Sequence, residues 1–284
     1  MSEENKNDSP IKRILAALDA SASSLNAMDT AVELAARFGA ELRGIFVEDV
    51  KLLRLAQLPF AREISFYSPQ LRKFGPGDME LQLRVQAIRI RDMLARRAEQ
   101  LGVPWEFRTA RGNVGAEVLS AGAEADLVVM GKIGRSLPGL RRSGSTTRTL
   151  LTQRGGMTLI TETTLQLVRN PVLGVYNGSE SAEKTLFMAA YLARIQEVSL
   201  IVLVVAGDAE RAAENQRTAA EQLKKLGVQA EFRRLVSPAL NHLAERIRRE
   251  TAGTVVIPCL EDWFQGEKLC GLIDEIANPV LLIR

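Results

Sequence analysis

The sequence contains one histidine and two cysteines in 284 residues. A lone His242 supplies no imidazole pair for a histidine-based zinc site and lends little weight to a Ser-His-Asp triad. Cys259 and Cys270 have neither metal-ligand nor redox spacing, and so few thiols in a chain of this length suit a reducing cytoplasm. No apolar run approaches the length of about 20 residues needed to span a bilayer, so no membrane span is expected. The formal charge of +3 is small for this length and does not argue for a nucleic-acid partner. Residues Met1 to Pro10 are polar and partly acidic, unlike a secretory signal. They read as a disordered lead-in, and a cytoplasmic location is expected.

What the chain does have is enough apolar residue, 46%, for sizeable cores, with an ordinary 25% charged. Its length suits two domains of about 140 residues each. Divided at residue 165, the first part holds 23 basic and 19 acidic residues and the second 14 and 15. The basic excess therefore belongs to the first part.

That excess gathers around one stretch. From Asp126 to Ser145 the chain reads D-L-V-V-M-G-K-I-G-R-S-L-P-G-L-R-R-S-G-S. An apolar strand, Leu127 to Met130, ends at Gly131; Gly134 follows, then Gly144-Ser145 at the start of a helix. Lys132, Arg135, Arg141 and Arg142 lie in the loop, Arg148 and Arg154 just beyond, and no acid occurs from Leu127 to Thr161. Glycines let backbone N–H groups approach an anion, and a helix N-terminus adds unpaired donors and a positive dipole end. A phosphate site would explain all of this. Glycines after a strand also serve plain turns, and a basic loop can simply be solvated, so the residue types alone leave both readings open.

The second part repeats the first. Shifted by 158 positions, Asp19 falls on Asn177, Ser21 on Ser179, Ala31 on Ala189, Leu34 on Leu192 and Val47 on Val205. Shifted by 127, Leu127 to Gly131 falls on Thr254 to Pro258. The difference measures extra chain in the first copy, placed at about residues 48–77. Expected bounds are a lead-in at 1–10, a first domain at 11–165 carrying the insert, and a second at 166–284. Strand patterns in copy one fall near 12–18, 42–47, 105–110, 126–131 and 157–161, with helices near 22–38, 78–101, 114–123 and 145–153. In copy two the strands fall near 171–176, 199–205, 229–234, 253–258 and 279–283, with helices near 180–194, 208–226, 238–251 and 266–276. Strands alternating with helices imply an α/β fold: two doubly wound, five-stranded parallel-sheet domains in tandem. Ligands of such sheets bind beyond the carboxyl ends of the strands where the order reverses, between strands one and four, which brings Asp19 beside Gly131.

The spacing G-x2-G-x9-G-S after D-L-V-V-M resembles the ATP-binding signature of the universal stress protein family. Ile14 to Ser21 is similar to that family's first strand and Asp-x-Ser turn, Ala31 to Val47 to its first helix and second strand, and Arg111-Gly112-Asn113 to the turn into its third helix. The resemblance implies strand order 3-2-1-4-5 in an adenine nucleotide alpha hydrolase-like fold, and ATP, or ADP or AMP, as ligand, with or without Mg²⁺. It implies that Ala17 and Leu18 line the adenine side, that Asp19 reaches the ribose or a phosphate-bound metal, and that Val47 pairs its backbone with the adenine edge. Met130 and Gly131 would approach the ribose and first phosphate, with Ile133 and Gly134 continuing the loop. Gly144, Ser145, Thr146 and Thr147 would present N–H and hydroxyl groups to the outer phosphates. Charge alone adds Lys132 and Arg135 as partners of the phosphates. Asp19 has a second reading as a helix cap, since Asp is favoured there.

Copy two departs from the signature. Pro258 replaces the first glycine and removes a donor, Glu261 and Asp262 bring negative charge, and Asn177 replaces the acid after strand one. Nucleotide is therefore expected in the first domain alone. The insert, with Leu52, Leu53, Leu55 and Leu58 before Pro59 and with Phe60, Phe66, Tyr67 and Phe74, reads as a lid, as packing against copy two, as a membrane-surface contact or as a surface insertion without a role. The last strand of each copy would lie at a sheet edge, where pairing is favoured, and the family resemblance implies that the two associate as an internal pseudo-dimer, with a homodimer left open. The function expected is a regulatory or protective one in stress. Its alternatives are a nucleotide-independent scaffold and a slow ATPase or phosphotransferase, for which Asp19 is the sole obvious carboxylate near the loop. Efficient hydrolysis also needs a base or water-orienting group.

Overall fold

Apolar runs closed by capping residues fold as strands and helices that alternate within each half, apart from the consecutive strands of the insert. The computed structural model describes residues 9–58, 75–133, 143–162, 170–236, 239–258 and 267–284, with the backbone of 62–65 and 68–73. The first half runs β1 (Arg13–Leu18), α1 (Ala22–Phe38), β2 (Glu41–Asp49), α2 (Val50–Ala56), β3 (Arg62–Ser65), β4 (Ser68–Lys73), α3 (Pro76–Gln100), β5 (Trp105–Gly112), α4 (Val114–Gly122), β6 (Leu127–Gly131), α5 (Ser145–Gln153) and β7 (Met157–Thr161). The second runs β8 (Val172–Tyr176), α6 (Glu180–Gln196), β9 (Leu200–Ala206), α7 (Ala209–Lys225), β10 (Ala230–Val236), α8 (Leu240–Arg249), β11 (Val255–Pro258), α9 (Glu267–Glu275) and β12 (Val280–Ile283).

Local chemistry sets these limits. Ser21 caps α1 by accepting from the N–H of Ser24, and Gly39, at φ 65°, closes it in the left-handed conformation. Asn113 caps α4 through the N–H of Ala116, and Ser179 caps α6 through that of Ala182. Strands β8 and β9 are buried at every position, as expected of parallel strands covered on both faces.

Ten strands form one sheet in the order β10-β9-β8-β11-β12-β7-β6-β1-β2-β5. Each half has the order 3-2-1-4-5, with parallel neighbours throughout. The halves meet where β12 pairs antiparallel with β7, from Val280 opposite Ile160 to Ile283 opposite Met157. Alternate strand residues feed two cores, one per face, and both cores run through both halves. One packs Ile14, Leu127 and Val202 under α1, α3, α6 and α7. The other packs Leu15, Val128 and Leu203 under α4, α5, α8 and α9. At the seam Phe38 of α1 lies against Tyr191 of α6 with ring centroids 5.8 Å apart, and Arg37 Nη1 donates to the Ile195 carbonyl at 2.7 Å.

The insert differs from expectation in one respect. Its leucine-rich start is helical, as α2, but β3 and β4 then form an antiparallel pair that the sequence pattern does not announce. Neither short segment alternates apolar and polar residues cleanly, and Pro69 stands inside the second. Phe60, Phe66, Tyr67 and Phe74, on which the lid reading rests, lie outside the described residues.

Candidate functional site

The carboxyl ends of β1, β2 and β6 open onto a cavity of about 380 Å³ at the point where the first half's strand order reverses. Ala17, Leu18, Ile45, Val47, Val118 and Met130 give it an apolar side. Asp19, Asp49, Lys51 and Asn113 add polar groups, and Gly131, Ile133, Gly144, Ser145, Thr146 and Thr147 complete the opposite wall. The cavity thus gathers every residue singled out from the family signature except Gly134, which lies with Arg135, Arg141 and Arg142 outside the described residues.

The β1–α1 turn is built tightly. Asp19 Oδ1 accepts from both the N–H and the hydroxyl of Ser21, at 3.0 and 2.6 Å, while the Asp19 N–H donates to Ser24 Oγ at 2.9 Å. Ser21, not Asp19, is the helix cap. Between them Ala20 is held at φ 63°, in the left-handed region that disfavours a β-carbon. In the second half the same turn is Asn177-Gly178-Ser179: Asn177 Oδ1 accepts from Ser179 in the same way, and Gly178 sits at φ 79°.

Gly131 has a packing reason to be glycine. A β-carbon there would come within 2.8 Å of the Ser23 carbonyl carbon and 2.9 Å of the Ser24 nitrogen, so β6 ends against the backbone of α1. Ser23 Oγ donates to the Ile133 carbonyl, and Ser21 Oγ reaches it at 3.4 Å, which fixes the first residues of the loop on α1.

At the far side of the loop, α5 begins at Gly144 with no side-chain cap. The Gly144 N–H donates to the Lys132 carbonyl and that of Arg148 to Gly144. The N–H groups of Ser145, Thr146 and Thr147 are the ones a helix start leaves without intrahelical partners, and these three residues line the cavity. The Thr147 hydroxyl is buried and donates to the carbonyls of Gly131 and Lys132, so it ties α5 to β6 instead of facing a ligand.

Of the two cations assigned by charge, Arg135 lies outside the described residues and Lys132 turns away from the cavity. Lys132 is buried, and its ammonium donates to the carbonyls of Ile276 and Asp274 at 2.9 and 3.3 Å, beside Glu162 at 3.4 Å. It satisfies the open carbonyls at the end of α9 in the second half, a favoured place for a cation. Arg148 pairs with Glu267 and approaches Asp274 at 3.9 Å. Its hydrogen bond to Glu267 raises the guanidinium pKa, against the opposing effect of burial. Arg154 lies at the other end of α5, buried among the carbonyls of Gly122, Ala125, Gly155 and Met157, and burial lowers its pKa.

The cavity also includes residues the motif does not mark: Ile45, Val118 and Thr149, and Lys51 and Leu52 of α2. Asn113 was visible as a turn residue before α4. Val118 and Thr149 carried no signal beyond ordinary helix positions. Arg111 braces this end of the sheet, donating to Glu48 at 2.7 Å and to Glu80 at 3.0 Å.

The first half thus sets an apolar cleft and an uncapped helix start side by side at the crossover of a doubly wound sheet. The sequence matches the model of the universal stress protein family over residues 10–154, just over half of the chain, and the chain belongs to that family. The chain is similar in structure to a universal stress protein from Archaeoglobus fulgidus DSM 4304, with a TM-score of 0.74 at 16% identity over 97% of both chains. It is also similar to a proposed universal stress protein from Pseudomonas aeruginosa UCBPP-PA14, with a TM-score of 0.61 at 14% identity over 96% of this chain and 93% of that one. At these identities both matches speak for the fold and not for a ligand. No curated protein sequence matches the chain.

Proposed function

We propose that the first half binds one adenine nucleotide, with ATP as the reference ligand and ADP or AMP as variants, and that binding serves a regulatory or protective role in stress. The observation that carries this reading is the union, in one cavity, of an apolar slot between the ends of β1, β2 and β6 and the bare N-terminus of α5. A base suits the first and an anionic phosphate chain the second. Asp19 Oδ1 is committed to Ser21, which leaves Oδ2 for a ribose hydroxyl or a magnesium ion carried by the phosphates. In the second half Pro258 stands where Gly131 stands in the first and offers no N–H, which supports one nucleotide per chain; Glu261 and Asp262 lie outside the described residues. Titration calorimetry of ATP into the full chain tests the proposal: a single site per chain is expected, and the absence of heat with unchanged thermal stability would refute it.

A further inference from the structure

We infer that Asp274, in the second half, is a positioning residue for the phosphate-binding loop of the first, so that α9 serves as an anchor for a site to which it contributes no ligand contact. The inference rests on the proposed nucleotide site. Asp274 Oδ1 accepts from the Ser143 N–H at 2.7 Å and from the Ser143 hydroxyl at 2.5 Å. Ser143 immediately precedes Gly144 and the three N–H groups that open α5. The backbone of Asp274 also accepts from Lys132, the residue after Gly131. One residue of α9 therefore grips both ends of the glycine loop, and Ile276 adds a second hold on the Lys132 ammonium.

The contact is sheltered and charge-assisted. Ser143 and Lys132 are buried, and the Asp274 side chain is 16% exposed. Hydrogen bonds to an ionised acceptor are the strong ones, and they are stronger away from water. On the inner side the same loop is held by Ser21 and Ser23 through the Ile133 carbonyl. The described ends of the loop, at Lys132–Ile133 and Ser143, are thus held by α1 of their own half and α9 of the other. A half whose own signature is interrupted at Pro258 thereby keeps a part in binding: it fixes where the α5 donors stand before a ligand arrives. Donors fixed in advance favour binding because less order is lost when the phosphates dock.

The test compares the native chain with Asp274→Ala and Asp274→Asn, using ATP and adenosine as probes and amide hydrogen exchange over residues 143–147 without ligand. Loss of the carboxylate in Asp274→Ala is expected to weaken ATP by roughly tenfold or more, the scale of a hydrogen bond to a charged group, with adenosine affected less than about twofold. Exchange at 143–147 should accelerate in the same variant. Asp274→Asn, which keeps an oxygen acceptor for Ser143, should recover most of the loss. Equal weakening of ATP and adenosine would overturn the inference, because that marks a general loss of structure, and so would an unchanged ATP affinity. If the native chain binds neither probe, the nucleotide proposal fails on its own, and exchange alone judges the anchor: identical rates at 143–147 in the native chain and Asp274→Ala would overturn it.

Discussion

Placing an acid at the first position of α5 separates a helix effect from a ligand effect, because the two have opposite signs. Ser145 is exposed, lines the cavity, and follows a Gly144 with no side-chain cap, in a helix whose first turn holds no acid. Ser145→Asp should stabilise the unliganded chain by about 0.3–1 kcal/mol, since a carboxylate complements the positive end of the helix dipole. The same charge about 5 Å from a phosphate charge, at an effective dielectric of about 20, opposes binding by about 3 kcal/mol. Solvent screening at an exposed position reduces this to about 1.5 kcal/mol, or roughly a tenfold rise in Kd. Calorimetric titration with ATP and a urea denaturation midpoint, measured on the same preparations, read the two effects. Ser145→Asn, nearly the same size without the charge, should stay within about twofold of native affinity. An ATP affinity that holds or improves in Ser145→Asp while the urea midpoint rises would refute phosphate binding at this helix.

Four further outcomes follow. Ala20→Gly should stabilise the chain by up to about 1.5 kcal/mol, read as a higher urea midpoint, because relief of a left-handed β-carbon, about 1–2 kcal/mol, outweighs the entropic cost of glycine, about 0.5–1 kcal/mol. Gly131→Ala should cost about 2 kcal/mol or more by forcing β6 off the α1 backbone, whereas Gly207→Ala, which meets nothing within 4 Å, should be nearly neutral in the same denaturation assay. Phe38→Ala should cost about 3–5 kcal/mol by emptying the seam against Tyr191, with both halves unfolding in one calorimetric transition. Burial pushes the Cys270 thiol above its ordinary value of 9.0, so its contribution is complete below pH 9 and is lost as pH rises through the raised value. The fall in urea midpoint between pH 8 and 10 should therefore be shallower in Cys270→Ala.

The strands were legible in the sequence because a parallel sheet covered on both faces demands uninterrupted apolar runs, and Leu127 to Met130 or Leu200 to Ala206 can be little else. The repeat was legible for the same reason, and the offset between its two registers located the insert. Charges were the weak point. Lys132 and Arg148 belong to a stretch with no acid of its own, and only the antiparallel join of β7 and β12 brings Asp274 and Glu267 beside them. Sequence proximity cannot show a partner that arrives from more than a hundred residues away. The sequence motif offers only a ligand as the reason for Gly131, while in the structure α1 itself requires it to lack a side chain. The β3–β4 pair stayed hidden because a two-stranded ribbon with no regular alternation leaves no period to detect.

The outer strands of the ten-stranded sheet differ in kind from the pair at its middle. β5 ends the sheet on one side with exposed Glu106, Arg108 and Arg111, and β10 ends it on the other with exposed Glu231 and Arg234. Such charged margins deter another strand from adding there. The apolar β7 and β12 satisfy each other within one polypeptide, so dilution cannot part them as it would two separate subunits. Among the described residues the ten-stranded sheet is thereby a self-terminating ribbon, its apolar border consumed internally and its ends guarded against growth into a filament.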